Sequence, residues 1–96
     1  MVEIRETRLY AKWFDSLKDR NAQARIEIRI QRLALGNPGD VKSVGGGISE
    51  LRINYGPGYR IYFTHRGEEL ILLINGGDKD SQRDDIAIAK ELLEEL

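Results

Sequence analysis

The chain has 96 residues, 41% of them hydrophobic and 32% charged, which predicts a single domain over residues 1–96 with one hydrophobic core. It contains no cysteine and one histidine, His65, so a disulfide scaffold, a thiolate metal site and a histidine-rich metal centre are excluded. The first ten residues do not resemble a signal peptide, and the longest apolar run, residues 70–74, is too short to span a bilayer. We therefore expect a cytoplasmic protein that makes no membrane contact and carries neither a metal nor another cofactor.

The net charge of −1 averages two unlike parts of the chain. Residues 84–96 carry five acidic side chains and one lysine, whereas residues 1–83 carry 14 basic and 11 acidic side chains. A mildly basic body is therefore followed by an acidic last helix. This distribution permits RNA binding but does not by itself predict it.

Two amphipathic helices are predicted after a short strand at residues 2–5. Thr7 can cap the first helix, because its hydroxyl can accept a hydrogen bond from an exposed backbone N–H, and Asn21 can cap the second. The second helix ends at Gly36 through a left-handed cap. Because only residues 19–21 join the helices, they should form an antiparallel hairpin. Their apolar stripes recur at helical spacing and consist of Tyr10, Trp13, Phe14 and Leu17, and of Ala22, Ile26, Ile30 and Leu33.

Four strands and a last helix are predicted after the helical hairpin. Two of the strands alternate apolar and polar side chains, and the last is nearly all apolar, which suits a strand covered on both faces. We expect the glycines at 76–77 to end that strand and Asp80 or Ser81 to cap the helix that follows. The strands cover residues 41–44, 48–55, 59–64 and 69–74, and the helix has an apolar line of Ile86, Ala89, Leu93 and Leu96.

The element order is therefore β-α-α-β-β-β-β-α, an α+β fold. Consecutive strands joined by short turns predict an antiparallel meander sheet, with the two N-terminal helices and the C-terminal helix packed on it. We expect the helices to lie on one face. The alternation directs Leu51, Ile53, Tyr59, Ile61 and Phe63 toward the helices. It directs Glu50, Arg52, Arg60 and Tyr62 to the opposite face.

Two arginines on that opposite face are the first candidates for a functional site. Neighbouring strands are about 4.8 Å apart, so Arg52 and Arg60 can lie close together across the hairpin. Two guanidinium groups repel each other unless an anion lies between them, and this anion could be the Glu50 carboxylate or a bound phosphate. A solvated polar face with one ion pair and no specific function is the alternative.

The connection before the last helix is a second, weaker candidate. Lys79 follows a glycine pair and lies near the start of that helix, where exposed N–H groups and the helix dipole favour anions. A strand-to-helix turn that needs small residues explains the same glycines equally well. His65 lies at a predicted hairpin tip, where a surface residue is more common than a catalytic one. The serines have no histidine or acid partner at a recognisable spacing, so we expect no serine nucleophile.

Four stretches of the sequence form a fairly specific combination. They are ELRI at residues 50–53, GYRIYF at 58–63, LLINGGDK at 72–79, and Gln82 with Ile86 and Ala89. Together they resemble the RelE/ParE toxin superfamily, and within it the HigB-like branch of phage-derived addiction module killer proteins. The resemblance covers nearly the whole chain, because β-α-α-β-β-β-β-α is also the element order of that group.

The resemblance implies the toxin of a type II toxin–antitoxin system, encoded beside an antitoxin that is often a helix-turn-helix DNA-binding protein. RelE-like members are ribosome-dependent mRNA endoribonucleases, so the ribosome and mRNA become expected partners. In this cleavage the 2′-hydroxyl attacks the adjacent phosphorus and the leaving 5′ oxygen is protonated, and cationic groups can stabilise the extra charge without a metal. The resemblance places Arg60, then Arg52, then Lys79 around the scissile phosphate.

The proton-transfer group and the activity itself stay open. Tyr62 and Glu50 are candidates for proton transfer, and His65 is a more distant one. ParE-like members of the same fold inhibit DNA gyrase and cut nothing, so the fold does not choose between them. An inactive phage-derived binding module is the third possibility. The two arginines on one face favour the nuclease, whereas the near-neutral charge and the missing histidine site favour the other two.

Overall fold

The computed structural model describes residues 2–96, and these form five strands and three helices in the predicted order. At most of the ends, the observed bound lies within three residues of the predicted one. They are β1 (Glu3–Glu6), α1 (Arg8–Ser16), α2 (Arg20–Ala34), β2 (Val41–Gly45), β3 (Ile48–Ile53), β4 (Tyr59–Arg66), β5 (Leu70–Gly77) and α3 (Gln82–Glu95). The predicted α+β class is confirmed. None of the helices in this part of the chain is long and apolar enough to cross a membrane.

The five strands form one sheet in the order β1-β5-β4-β3-β2. Strands β2 to β5 pair antiparallel with their sequence neighbours, as the meander prediction requires. Strand β1 pairs parallel with β5 at the edge, so the sheet is mixed. The backbone N–H of Glu3 donates to the Glu69 carbonyl at 2.8 Å, and that of Thr7 donates to the Leu73 carbonyl at 3.0 Å. The first and last strands of the chain are therefore neighbours.

The helix caps agree with the sequence for α1 and differ for the other two helices. The Thr7 hydroxyl accepts from the Tyr10 N–H at 3.0 Å, as predicted. Asp19, not Asn21, caps α2, because the helix begins earlier than predicted and the Asp19 carboxylate accepts from the N–H groups of Asn21 and Ala22. Ser81 precedes α3 but makes no side-chain capping bond, since its hydroxyl donates instead to the Asp85 carboxylate.

The first two helices cover one face of the sheet. There the predicted inward residues Leu51, Ile53, Ile61 and Phe63 are buried, together with Tyr10, Ile26 and Leu33 of the helices. Tyr59 packs against this core from its edge. The alternation along β3 and β4 therefore identified the helix-facing side chains correctly.

The last helix packs on the opposite face, so the expectation that the helices share one face is wrong. A second apolar cluster joins Ile48, Tyr62 and Ile74 of the sheet to Ala89 of α3. Polar side chains of β3 and β4 made this face look solvated in the sequence, but Glu50 and Tyr62 are fully buried beneath the helix. The sheet is thus covered on both faces around its central strands.

The glycines at 76–77 do not end β5, as expected from the sequence, but lie inside it. A Cβ atom on Gly76 would lie 2.3 Å from the Trp13 ring, and one on Gly77 would lie 1.8 Å from a carboxylate oxygen of Asp85. Both distances are far below van der Waals contact. These glycines therefore allow α1 and α3 to pack closely against the two faces of the same strand.

Candidate functional site

A pocket of about 340 Å³ lies where the turn between β3 and β4 meets the connection from β5 to α3. We call it the cationic pocket. Its lining residues are Asp40, Arg52, Asn54, Gly56, Pro57, Gly58, Arg60 and Lys79. The three cations that the resemblance places around a scissile phosphate, Arg52, Arg60 and Lys79, therefore line one pocket.

The pairing of the strands brings the three cations together. Arg52 and Arg60 are direct partners across β3 and β4. Gly58, in the turn before β4, has a φ of +81° that glycine adopts without strain. A Cβ atom on this glycine would lie 3.4 Å from Cβ of Lys79 and 3.7 Å from Nη1 of Arg60. The turn thus packs against Lys79 and closes one side of the pocket.

Glu50 is a buried carboxylate that lies between the charged groups behind the cationic pocket. Its Oε1 lies 3.9 Å from Nε of Arg52 and 3.9 Å from Nε of Arg60. Its Oε2 accepts hydrogen bonds from the Tyr62 hydroxyl at 3.2 Å and from Nε2 of Gln82 at 2.7 Å. One carboxylate therefore faces two guanidinium groups with one oxygen and two neutral donors with the other. We call these five residues the Glu50 cluster.

The contacts of Oε1 are ion pairs and not hydrogen bonds, because 3.9 Å is too long for one. Among residues 2–96, neither Oε1 of Glu50 nor Nε of Arg60 has a hydrogen-bond partner. The Glu50 side chain is fully buried, and that of Arg60 is 11% exposed. Such a pair lies in a low-dielectric setting, where its attraction is strong but its desolvation is costly.

The two remaining cations are more accessible than Arg60. The Arg52 side chain is 38% exposed and lies 3.9 Å from the exposed Asp40 carboxylate, and Lys79 is exposed. Three cations therefore face two carboxylates, those of Asp40 and Glu50, with one positive charge in excess. This excess and the free faces of two cations allow the pocket to bind an anion such as a phosphate.

Glu50, Tyr62 and His65, the side chains considered for proton transfer, do not line the pocket. Tyr62 is fully buried behind Glu50. Burial, and then the charge of Glu50, raise the pKa of Tyr62, so its hydroxyl stays protonated and donates to Glu50. His65 is exposed near the opposite end of β4. At about 3.3 Å per residue, it lies roughly 17 Å along the strand from Arg60.

The structure adds residues to the site that sequence reasoning missed. Arg29 of α2 donates to the carbonyls of Arg52 at 2.7 Å, Pro38 at 3.2 Å and Asp40 at 3.4 Å. It thereby holds the backbone of Arg52 and Asp40, two of the residues that line the pocket. Nothing in its helical position signals this role. Gln82 was noticed only as part of a motif, because its bond to Glu50 spans 32 positions of the chain.

A second pocket is larger, at about 950 Å³, and lies between β1, α1 and α2. We call it the β1 groove. Its lining contains no lysine or arginine, so its size does not make it an anion site. In the part of the chain that the structure describes, no three histidine, aspartate or glutamate side chains are grouped so that they could hold a metal ion.

The comparison with known protein families covers this whole site. The family described as Phage derived protein Gp49-like (DUF891) matches residues 12–94. The chain belongs to the Gp49-like family. This family is associated with toxin–antitoxin modules. The matched span of the Gp49-like chain includes every residue that lines the cationic pocket.

A relative of this Gp49-like protein occurs in Haemophilus influenzae. It is an uncharacterized protein that is 46% identical over 95 residues. The alignment covers 99% of this chain and 96% of that protein. The two proteins therefore correspond along almost their full lengths.

Proposed function

We propose that this chain is the toxin of a type II toxin–antitoxin system and that it inhibits translation as a ribosome-dependent mRNA endoribonuclease. Its partners are then the ribosome with its mRNA and a cognate antitoxin, a helix-turn-helix DNA-binding protein. The observation that carries the proposal is the convergence of Arg52, Arg60 and Lys79 on one pocket. The membership of a family associated with toxin–antitoxin modules supports it.

The proposed reaction is transesterification of an RNA phosphodiester. The 2′-hydroxyl attacks the adjacent phosphorus, the bond to the 5′ oxygen breaks, and a cyclic phosphate is left on the 3′ side of the cut nucleotide. Negative charge grows on the phosphate oxygens in the transition state, and fixed cations stabilise it more than they stabilise the substrate. In this proposal Arg60 contacts the phosphate from the base of the pocket and Arg52 from its rim.

Proton transfer is assigned to the groups that line the pocket. Lys79 is the one pocket cation that can release a proton, because arginine stays protonated in proteins, and we assign to it the leaving 5′ oxygen. Asp40 is the one carboxylate in the lining, and we assign to it the proton of the 2′-hydroxyl. Glu50 and Tyr62, which lie behind the arginines, become positioning residues that orient the two guanidinium groups.

The test is induced expression followed by mapping of mRNA 5′ ends. The wild type should create new 5′ ends within translated messages, and Arg52→Ala and Arg60→Ala should reduce them at least about 100-fold, the scale of losing one transition-state contact. Arg66→Ala, at the far end of β4, is the matched control and should cut normally. Intact transcripts during growth arrest would contradict the nuclease.

A non-enzymatic inhibitor of DNA gyrase is the second candidate. It is favoured by the partial neutralisation of the pocket, because the carboxylates of Glu50 and Asp40 already face the arginines and offset two of the three positive charges. Such a protein would leave transcripts intact and cause DNA breaks in the same experiment. Unimpaired growth would favour the third candidate, an inactive phage-derived binding module.

A further inference from the structure

The β1 groove is an open apolar surface on the face of the sheet that α1 and α2 cover. Its floor includes Ile4 of β1, Phe14 of α1 and Ile30 of α2, and Leu73 of β5 contributes beneath them. Leu35, just after α2, lines the same groove and is 69% exposed, more than any other large hydrophobic side chain among residues 2–96. A groove of this size with an exposed aliphatic side chain at its end can bury apolar side chains of a partner.

The charged residues that line the groove are all acidic. They are Glu3, Glu6, Asp15 and Glu27, and all four are exposed. Glu3 is paired with Arg5 beside the groove, which leaves the other three carboxylates for a partner. With no basic side chain in the lining, these carboxylates are complementary to lysine and arginine on a partner. The groove therefore favours a partner that combines aliphatic and basic residues.

A buried hydroxyl in the floor points to an occupant independently of the charge. Tyr10 is 2% exposed and lines the groove, and its hydroxyl has no hydrogen-bond partner among the described residues. Buried polar groups are nearly always hydrogen-bonded in native structures. Because this hydroxyl has almost no exposed surface, an acceptor on a bound partner, such as a backbone carbonyl, reaches it when the side chains above it move aside.

The edge of the sheet runs along the groove. The N–H groups of Glu3 and Thr7 donate to β5. Because alternate residues of a strand direct their backbone groups to opposite sides, the N–H groups of Ile4 and Glu6 face away from β5. An edge strand with free backbone groups can accept an added strand.

We propose that the β1 groove binds a basic, aliphatic segment of a partner protein, extended along β1. Its aliphatic side chains occupy the floor, and its lysines or arginines pair with the acidic lining residues. The cationic pocket shares no lining residue with the groove, and Arg52 and Arg60 belong to the other face of the sheet. The segment therefore leaves that pocket uncovered, and the proposal does not depend on the nuclease activity.

The test uses two synthetic 12-residue peptides and isotope-labelled full-length protein. One peptide alternates leucine with lysine, and the control alternates leucine with glutamate. We expect the lysine peptide to shift the amide resonances of residues 3–6, Tyr10 and Glu27, and to show contacts to the β1 backbone typical of a paired strand. The glutamate peptide should leave the spectrum unchanged.

Two charge-reversal variants separate the groove from general attraction to acidic surface. Glu27→Lys should weaken binding of the lysine peptide at least tenfold. Glu91→Lys reverses an exposed acid on α3 and should change the affinity less than twofold. Equal weakening by both variants, shifts confined to residues 82–95, a helical bound peptide, or no binding at millimolar concentration would each overturn the proposal. Unchanged spectra elsewhere confirm that both variants fold.

Discussion

The two faces of the sheet bury different chemistry at neighbouring positions of one strand. Leu51 faces α1 and α2 within an apolar core, whereas Glu50, the residue before it, faces α3 within a network of charges and donors. Both side chains are fully buried. The contacts around Leu51 are apolar, whereas Glu50 is buried with charged and polar groups that lose a partner when any one of them is removed. This contrast predicts different responses to substitution.

Loss of Glu50 should have the largest effect. Glu50→Ala leaves the nearly buried guanidinium of Arg60 without its carboxylate, and removing one partner of a buried ion pair costs about 3–5 kcal/mol. Urea denaturation of the variant, beside Glu68→Ala in the exposed turn after β4, measures this cost. The double variant Glu50→Leu with Arg60→Met should recover part of the lost stability, because apolar replacement of a buried pair is often neutral, while Tyr62 and Gln82 lose their acceptor in both variants. A double variant no more stable than Glu50→Ala would contradict the contrast.

Loss of Leu51 should have the next largest effect and a different character. Leu51→Ala removes a fully buried side chain from the apolar core and should lower the free energy of unfolding by about 3 kcal/mol. Leu35→Ala, at a position that is 69% exposed, is the control and should cost little. No single charge substitution on the other face should compensate for Leu51→Ala. Compensation of that kind would mean that the two faces are not independent.

Removal of Gln82 tests whether α3 holds the Glu50 cluster in place. Gln82→Ala removes the 2.7 Å hydrogen bond to Oε2 but leaves the Tyr62 hydroxyl as donor. Because hydrogen bonds to charged groups contribute about 1.5–3 kcal/mol and water can reach this half-buried side chain, we expect about 1–2 kcal/mol. Arg83→Ala, one residue along the same helix, should be close to neutral. If the two variants are equally stable, the hydrogen bond from Gln82 does not hold the Glu50 cluster in place.

The smallest effect is expected for a charge at the surface. A hydrogen bond from the Tyr55 hydroxyl, and then one from the Ala22 N–H, lower the pKa of Asp19 below its ordinary 3.8. A lowered pKa in the folded state means that the ionised carboxylate stabilises the fold above pH 3.8 and that this contribution is lost as the pH falls through the folded value. The melting temperatures of wild type and Asp19→Asn should therefore differ slightly at pH 6 and converge below pH 3.8. Added salt should shrink the difference. A difference in melting temperature that persists below pH 3.8 would mean that it does not come from the charge of Asp19.

The alternation of β3 and β4 could be read from the sequence because a strand repeats every two residues. It separated Leu51 and Ile61 from Arg52 and Arg60, and the pairing of the two arginines followed from the short turn between the strands. Lys79 was placed in the same site by resemblance, and the structure brings it to the same pocket. These features depend on residues close in sequence or on a recognisable motif.

The rest depended on distant partners. Glu50 was assigned to a solvated face because a carboxylate is rarely buried, and only the packing of α3 onto Tyr62 and Ile74 encloses it. The capping of α2 by Asp19 instead of Asn21 depends on where the helix starts, and the observed start lies two positions before the predicted one. Asp40 lines the cationic pocket, and Arg29 holds the backbone there, because the tertiary fold brings together residues that are distant in the sequence. Local patterns contain none of this information.

The parallel pairing of β1 with β5 has a consequence for the order of events during synthesis. Thr7 and its hydrogen-bond partner Ile74 are 67 positions apart. Strand β1 is therefore synthesised early but cannot pair until β5 has been synthesised. Closing the Glu50 cluster requires still later residues, beginning at Gln82. If the chain cuts messages on ribosomes, its own ribosome is protected from it until translation is nearly complete. We expect chains arrested before residue 82 to be digested rapidly by protease, and resistance at that length would refute this timing.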